Sequence, residues 1–245
     1  MASKASSFVV YRGPSQLDGA PIRGILTRGS TNSKTGDMAQ LHIVRDDIAP
    51  HVATKTGDDA SVCGECPQRP ALGGGCYVTV FQGPRSAWAA SNGRAPDLDA
   101  AVTFLGSKAS ASTRRAVLRL GAYGDPAALP ESVVKALCDA VKGRATGYTH
   151  QWRRTDCAWV KAYCMASTEN VRDTLIAWNR GWRTFRVGAP GMVNTPGKEI
   201  TCVNTTREID CADCGLCFGS LVAKSITIEV HGAKAKRGAS KCEEN

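Results

Sequence analysis

No stretch of this 245-residue chain approaches the roughly 18 consecutive apolar residues that a membrane-spanning helix requires, which excludes a helical membrane protein. The opening residues Met1 to Val10 have an apolar core too short for a secretory signal, so a soluble chain of the cytoplasm is expected. There is no Gly-x-Ser-x-Gly turn, no Ser-His-Asp arrangement and no Gly-x4-Gly-Lys-Ser loop, so hydrolase and nucleoside-triphosphatase readings lose their usual basis. No repeat of about 20 to 50 residues stands out, which excludes a solenoid. Nor is there a basic tail. The formal charge of +9 is spread along the chain, and the single basic run (Lys234, Lys236, Arg237, Lys241) is followed by Glu243 and Glu244. A diffuse positive charge is compatible with an acidic partner such as nucleic acid, and equally with solubility alone.

What the chain has in excess is cysteine, at 11 residues. Without an export signal, metal binding is a better first reading than a disulfide scaffold. Seven of the eleven fall into two clusters, Cys63-x2-Cys66-x9-Cys76 and Cys202-x8-Cys211-x2-Cys214-x2-Cys217. Cys138, Cys157, Cys164 and Cys242 are isolated; Cys138 lies in a helical pattern and Cys164 in a strand-like one, where the residue packs as a small hydrophobe.

Zinc favours four ligands from two paired hooks, and the second cluster departs from that pattern. Its serial Cys-x2-Cys-x2-Cys spacing is the ferredoxin habit, with one loop wrapping a cubane and the distant Cys202 completing it. A [4Fe-4S] cluster is therefore the leading reading; zinc and reduced structural thiols are the alternatives. The first cluster supplies three cysteines, followed by Pro67 and the run Gly73-Gly74-Gly75, and leaves one cubane corner without a protein thiolate. That corner suits a substrate, a water, His51 or Asp58, and a Cys3His zinc site completed by His51 competes closely.

Residues 1–62 are rich in Gly, Ser, Thr and Asp and are expected to form an irregular N-terminal extension, with β-like pieces at 8–11 and 40–44 and a decorated loop or hairpin between 11 and 38. Weak helical patterns follow at 86–90 and 97–105. From residue 116 the pattern turns regular: strands at 116–120, 146–150, 160–165, 182–187, 199–203 and 225–231. Between them lie a helix opened by Pro130 and closed by Gly143, and another capped by Thr168 and stopped by Gly181. The expected fold is α/β, an incomplete parallel (β/α)6-like barrel over residues 63–245 with cysteine-rich loops. Such barrels carry their sites at the strand C-terminal ends, here Gly124-Asp125, His150-Gln151, Ser167 to Asn170, Arg186 and Cys202, so one rim is expected to collect the ligands. His42 and His231 read as buried and hydrogen-bonded, and His150 as a site candidate. Trp152-Arg153-Arg154, Arg180-Gly181-Trp182-Arg183 and Phe185-Arg186 pair aromatics with arginines, either to stack bases or to fill the core while the arginines reach water.

The segments Val62 to Pro67, Gly75 to Val78, Gly121 to Pro126, Gly147 to Trp152, Met165 to Ser167, Gly181 to Val187 and Cys211 to Cys217 together resemble the "gene product 88" family of actinobacterial phages. That resemblance covers most of the chain and implies a phage protein of the host bacterial cytoplasm. More remotely, an early cysteine triplet, the turn Gly124-Asp125-Pro126 after a strand, and Ser/Glu/Asn after a later strand resemble the radical S-adenosylmethionine barrel. On this resemblance Cys63, Cys66 and Cys76 would hold a cluster with one open iron, and Tyr123, Gly124 and Asp125 would contact S-adenosylmethionine. The superfamily's spacing is Cys-x3-Cys-x2-Cys, from which this chain departs. Three functions are thus in view: an iron–sulfur protein in a redox or S-adenosylmethionine-related role, a metal-stabilised nucleic-acid-binding or regulatory phage protein, and a barrel whose metal sites only staple the fold.

Overall fold

The computed structural model describes residues 7–219, 224–232 and 234–243. Its strands are β1 (Ser7–Pro14), β2 (Pro21–Thr27), β3 (Ala39–Arg45), β4 (Leu118–Tyr123), β5 (Ala145–Thr146), β6 (Tyr148–Thr149), β7 (Met165–Thr168), β8 (Thr184–Gly188), β9 (Glu199–Thr201) and β10 (Ser225–Glu229). The helices are α1 (Pro50–Thr56), α2 (Ala60–Cys63), α3 (Gly83–Ala90), α4 (Leu98–Ala111), α5 (Glu131–Ala140), α6 (Val171–Asn179), α7 (Cys211–Cys214) and α8 (Ala235–Glu243). The molecule is mixed α/β, with strands and helices alternating and most strand pairs parallel.

Two five-stranded sheets make the frame, ordered β1-β2-β3-β4-β5 and β6-β7-β8-β10-β9. In the first, β1, β2 and β3 are antiparallel neighbours, while β3, β4 and β5 run parallel. The second is wholly parallel. One chain segment passes from sheet to sheet: Ala145 pairs with Leu118, and after Gly147 Tyr148 pairs with Met165. Only glycine fits at that crossing, because a Cβ there would stand 2.6 Å from the Cys164 sulfur and 3.1 Å from Leu120 Cβ.

Residues 7–62 are more regular than the composition of the N-terminal region suggests. β1 begins with four buried residues, and every residue of β3 before Arg45 is buried, so the two strands are covered on both faces. α4 and α5 pack on each other, and α4 also packs on β1. Asp97 caps α4 by accepting from Ala100 N at 3.0 Å, and Asn170 caps α6 by accepting from Asp173 N at 2.8 Å.

Two further expectations shift. The strand expected at 160–165 is instead a 3-10 turn over Ala158–Ala162, with the strand starting at Met165. Cys157, Val160 and Cys164 are the buried positions, a helical spacing within an apolar run that can be mistaken for a strand. Thr168 ends β7 rather than capping α6, and its hydroxyl meets that of Thr174 at 2.8 Å. No helix among the described residues is long and apolar enough to cross a membrane.

Candidate functional site

Side chains two apart on a strand share a face, and one face of these sheets encloses a cavity of about 550 Å³. β4 presents Arg119 and Tyr123 to it, the β5–β6 segment Thr146 and Tyr148, and β8 Phe185 and Val187. All seven clustered cysteines, Cys63, Cys66, Cys76, Cys202, Cys211, Cys214 and Cys217, line it as well, and none is in a disulfide.

The first group meets the C-terminal ends of the strands. α2 ends on Cys63, and Gly64 turns the chain at φ 55°, packed so closely on the Gln151 amide that a Cβ would lie 2.4 Å from it. Gln151 Nε2 donates to the Cys63 carbonyl at 3.1 Å, and Asp125 N donates to the Val62 carbonyl at 2.6 Å. Behind this loop Arg69 forms a buried pair with Asp59 at 2.8 Å and also donates to the Gly57 and Gly64 carbonyls. One guanidinium therefore ties both sides of the cysteine loop.

Tyr123, Gly124 and Asp125 all line the cavity. Asp125 is a buried hub: Oδ1 accepts from Ala127 N at 3.0 Å, and Oδ2 from Thr149 Oγ1 at 3.0 Å and His150 N at 2.8 Å. Burial raises its pKa against the pull of those bonds. Its two oxygens thus serve protein donors. The Tyr123 hydroxyl differs: it is buried with no hydrogen-bond partner among the described residues, beside Cys63 and Cys76. His150 also faces the cavity, its Nε2 2.7 Å from Glu169 Oε1 and its ring within hydrogen-bonding reach of Cys66. His51 and Asp58, the fourth ligands expected from sequence, do not line the cavity; Asp58 instead accepts from the Thr56 hydroxyl at the surface.

The Cys211, Cys214 and Cys217 loop of the second group lies at the opposite, N-terminal ends of β4 and β8. Asp210 caps the single-turn α7 by accepting from Asp213 N at 2.9 Å, and Gly215 ends it at φ 63°. Ala116 N, just before β4, donates to the Ala212 carbonyl at 2.8 Å. Arg183, just before β8, donates to the carbonyls of Leu216 (3.0 Å), Phe218 (2.6 Å) and Gly219 (2.7 Å). Cys202 reaches the group from the end of β9, where its N–H bonds the Thr227 carbonyl at 2.8 Å, and it interacts electrostatically with Cys214 and Cys217. The ligands expected on one rim thus divide between two ends of one cavity. Tyr148 and Arg119 stand between: the Tyr148 hydroxyl donates to Cys217, while Arg119 donates to Tyr77 and faces Cys211 and Cys217. Neither residue carried a sequence signal beyond its place in a strand.

Burial, with neighbouring thiols adding to it, pushes up thiols in both groups. Cys76 rises to about 11, Cys211 to about 11 and Cys217 to about 12, with Cys63 well above its ordinary value. These raised thiols are protonated at neutral pH in the metal-free chain, and a cation in the cavity is what would favour their thiolates. Among the described residues no three His, Cys, Asp or Glu side chains close on a single ion position. The donor chemistry fits a thiophilic group, and the orphaned Tyr123 hydroxyl fits a sulfur acceptor beside it.

Two expectations about the remaining polar groups change. His231 is exposed, with Nδ1 3.0 Å from the Glu229 carbonyl oxygen, because its strand ends at Glu229. His42 is buried, yet its Nδ1 has no partner among the described residues, and burial together with Arg119 lowers its pKa to about 4. Trp152 and Trp182 are buried, Trp152 donating to the Ser167 carbonyl at 2.9 Å with Arg153 stacked 4.1 Å from its ring centroid. No protein-family model, curated protein or solved structure matches the chain.

Proposed function

We propose that this chain is a two-site iron–sulfur protein with a redox role, in which an incomplete parallel barrel carries one cluster on Cys63, Cys66 and Cys76 and a second on Cys202, Cys211, Cys214 and Cys217. The observation that carries the reading is the gathering of seven thiols, from separate chain segments, around one cavity. The clusters when bound would supply one-electron chemistry. The chain's own residues hold, orient and shield. Arg69 and Arg183 tie the backbones of the Cys63–Cys66 and Cys211–Cys217 loops through carbonyls beside the thiols. Tyr148 directs its proton at Cys217, and Tyr123 stands ready to do the same at the first site. Phe185 lines the cavity with its ring centroid 4.4 Å from that of Tyr148 and adds an apolar wall beside it.

The redox reading is favoured over S-adenosylmethionine binding by Asp125. Oδ2 already accepts from Thr149 and His150 and Oδ1 from Ala127, so at most one carboxylate lone pair is left for a cofactor amino group. The test is anaerobic isolation with iron, sulfide and zinc counts. About eight irons with matching sulfide support two four-iron sites, whereas zinc without sulfide overturns the proposal.

A further inference from the structure

Three thiols leave the first site one ligand short of the four that either a cubane or a tetrahedral zinc site takes. The molecule has four histidines. His42 is buried within β3 and His51 does not line the cavity; His231 lines it, but is exposed, stacked on Tyr77 and turned with Nδ1 to the Glu229 carbonyl. His150 stands against Cys66 inside the cavity. We infer that His150 is the fourth ligand of the Cys63–Cys66–Cys76 site, with Glu169 as the carboxylate that positions it. This inference rests on the metal-site reading above and specifies it.

Three features carry it. First, an ionised carboxylate only accepts hydrogen bonds, so the 2.7 Å contact of Glu169 Oε1 with His150 Nε2 puts the ring proton on Nε2. Nδ1 is then the ring atom that would take a metal, which displaces any proton carried there in the metal-free fold. Second, that arrangement matches the carboxylate–histidine–metal pattern, in which the outer carboxylate fixes tautomer and ring plane. Glu169 is 5% exposed, so it is poorly placed to serve a solvent partner instead. Third, the backbone of His150 is anchored through its N–H to Asp125 Oδ2, and Asp125 in turn holds the Val62 carbonyl next to Cys63. The imidazole and the cysteine loop are thus referred to the same carboxylate-bearing turn.

A consequence separates the two sites. Three thiolates and a neutral imidazole carry one negative charge fewer than four thiolates, and replacing cysteine by histidine raises the potential of an iron–sulfur centre. The first site would be the better electron acceptor of the two.

The experiment uses the whole chain, its histidine rings labelled with 15N, reconstituted anaerobically with iron and sulfide and read by pulsed electron resonance. The expected result is a nitrogen coupling in the wild type that disappears in His150→Ala, with iron lost from the first site only. His150→Cys is expected to restore that iron without the coupling. Glu169→Ala is expected to weaken metal at the first site by about 10- to 100-fold, with Glu169→Gln less affected and the second site unchanged as the folding control. A doubly loaded wild type without nitrogen coupling, or a coupling that persists in His150→Ala, overturns the inference and leaves the iron–sulfur reading standing. If the chain takes up zinc at both sites instead, X-ray absorption should report on average about 3.5 sulfurs and 0.5 nitrogen per zinc, with the nitrogen lost in His150→Ala. That result supports the ligand and overturns the iron. Uptake of neither metal overturns both.

Discussion

The two cysteine groups open onto one cavity but are held by different physics. The first has its charged support inside the protein: the Asp59 side chain is 1% exposed and paired with Arg69 under the loop. The second has part of its support outside, where Arg114 at 36% exposure reaches Asp210 and Asp213, both at 2.9 Å. A buried ion pair cannot lose one partner cheaply, because the other charge is left without water or counter-charge, whereas an exposed pair is already half compensated by solvent. The three-cysteine loop is thus tied by a buried ion pair, and the four-cysteine loop in part by exposed ones.

The strongest way to break that contrast is to remove the buried cation. Arg69→Ala should destabilise the chain by about 3–5 kcal/mol, read as a shift in denaturant midpoint, and should abolish metal uptake at the first site. Arg114→Ala should leave the midpoint nearly unchanged. Equal effects from the two substitutions would erase the distinction. Next in size is Arg183, whose guanidinium serves three carbonyls of the second loop. Each hydrogen bond to a charged donor is worth roughly 1.5–3 kcal/mol, so Arg183→Ala should cost a few kcal/mol and empty the second site while the first still loads. Metal analysis of the purified variant checks it.

Alkaline stability sharpens the comparison further, since both groups hold thiols above their ordinary values. The Cys76 thiol moves from 9.0 to about 11 and the Cys217 thiol from 9.0 to about 12. In the unfolded chain these groups ionise first, so the stability they contribute is complete below pH 9 and is lost as pH rises through their folded-state values. Metal-free protein should therefore lose stability between about pH 9 and 11 in denaturant titrations, while metal-loaded protein, its thiolates already compensated, should show a flatter profile. Coincident profiles would mean that metal does not engage these thiols.

The sequence made much of this legible, for identifiable reasons. The α5 helix shows in the spacing of Val133, Val134 and Leu137, all buried, and the parallel strands show as short apolar runs. Both cysteine groups were visible as spacings, and the cavity does collect all seven. What stayed hidden depends on contacts between distant residues. β2 reads as loop because its apolar residues Ile22, Ile25 and Leu26 are interrupted by Arg23, which is itself fully buried and paired with Asp46 at 3.0 Å. The division of the cysteines between two ends of the strands follows from Ala116 and Arg183 gripping α7 and the loop beyond it, bonds to backbone carbonyls that leave no trace in residue type. His150 and Glu169 were both visible as strand-end residues but not as a pair, and the missing partner of the Tyr123 hydroxyl shows only in the structure.

That hydroxyl supports the smallest and most discriminating prediction. A buried polar atom without a partner costs roughly 1–3 kcal/mol, whereas the same atom aimed at a thiolate or sulfide is satisfied. In metal-free protein Tyr123→Phe removes the orphan and keeps the ring in the core, so stability should be unchanged or rise by about 1 kcal/mol. In metal-loaded protein the same substitution deletes a hydrogen bond to sulfur, which should lower the potential of the first site and leave that of the second alone. The opposite signs matter more than the sizes, because a merely structural tyrosine would move both states in the same direction. Parallel denaturation and redox titrations of the two forms read that sign, and a loss of stability in the metal-free variant would mean that the Tyr123 hydroxyl already has a partner within the fold.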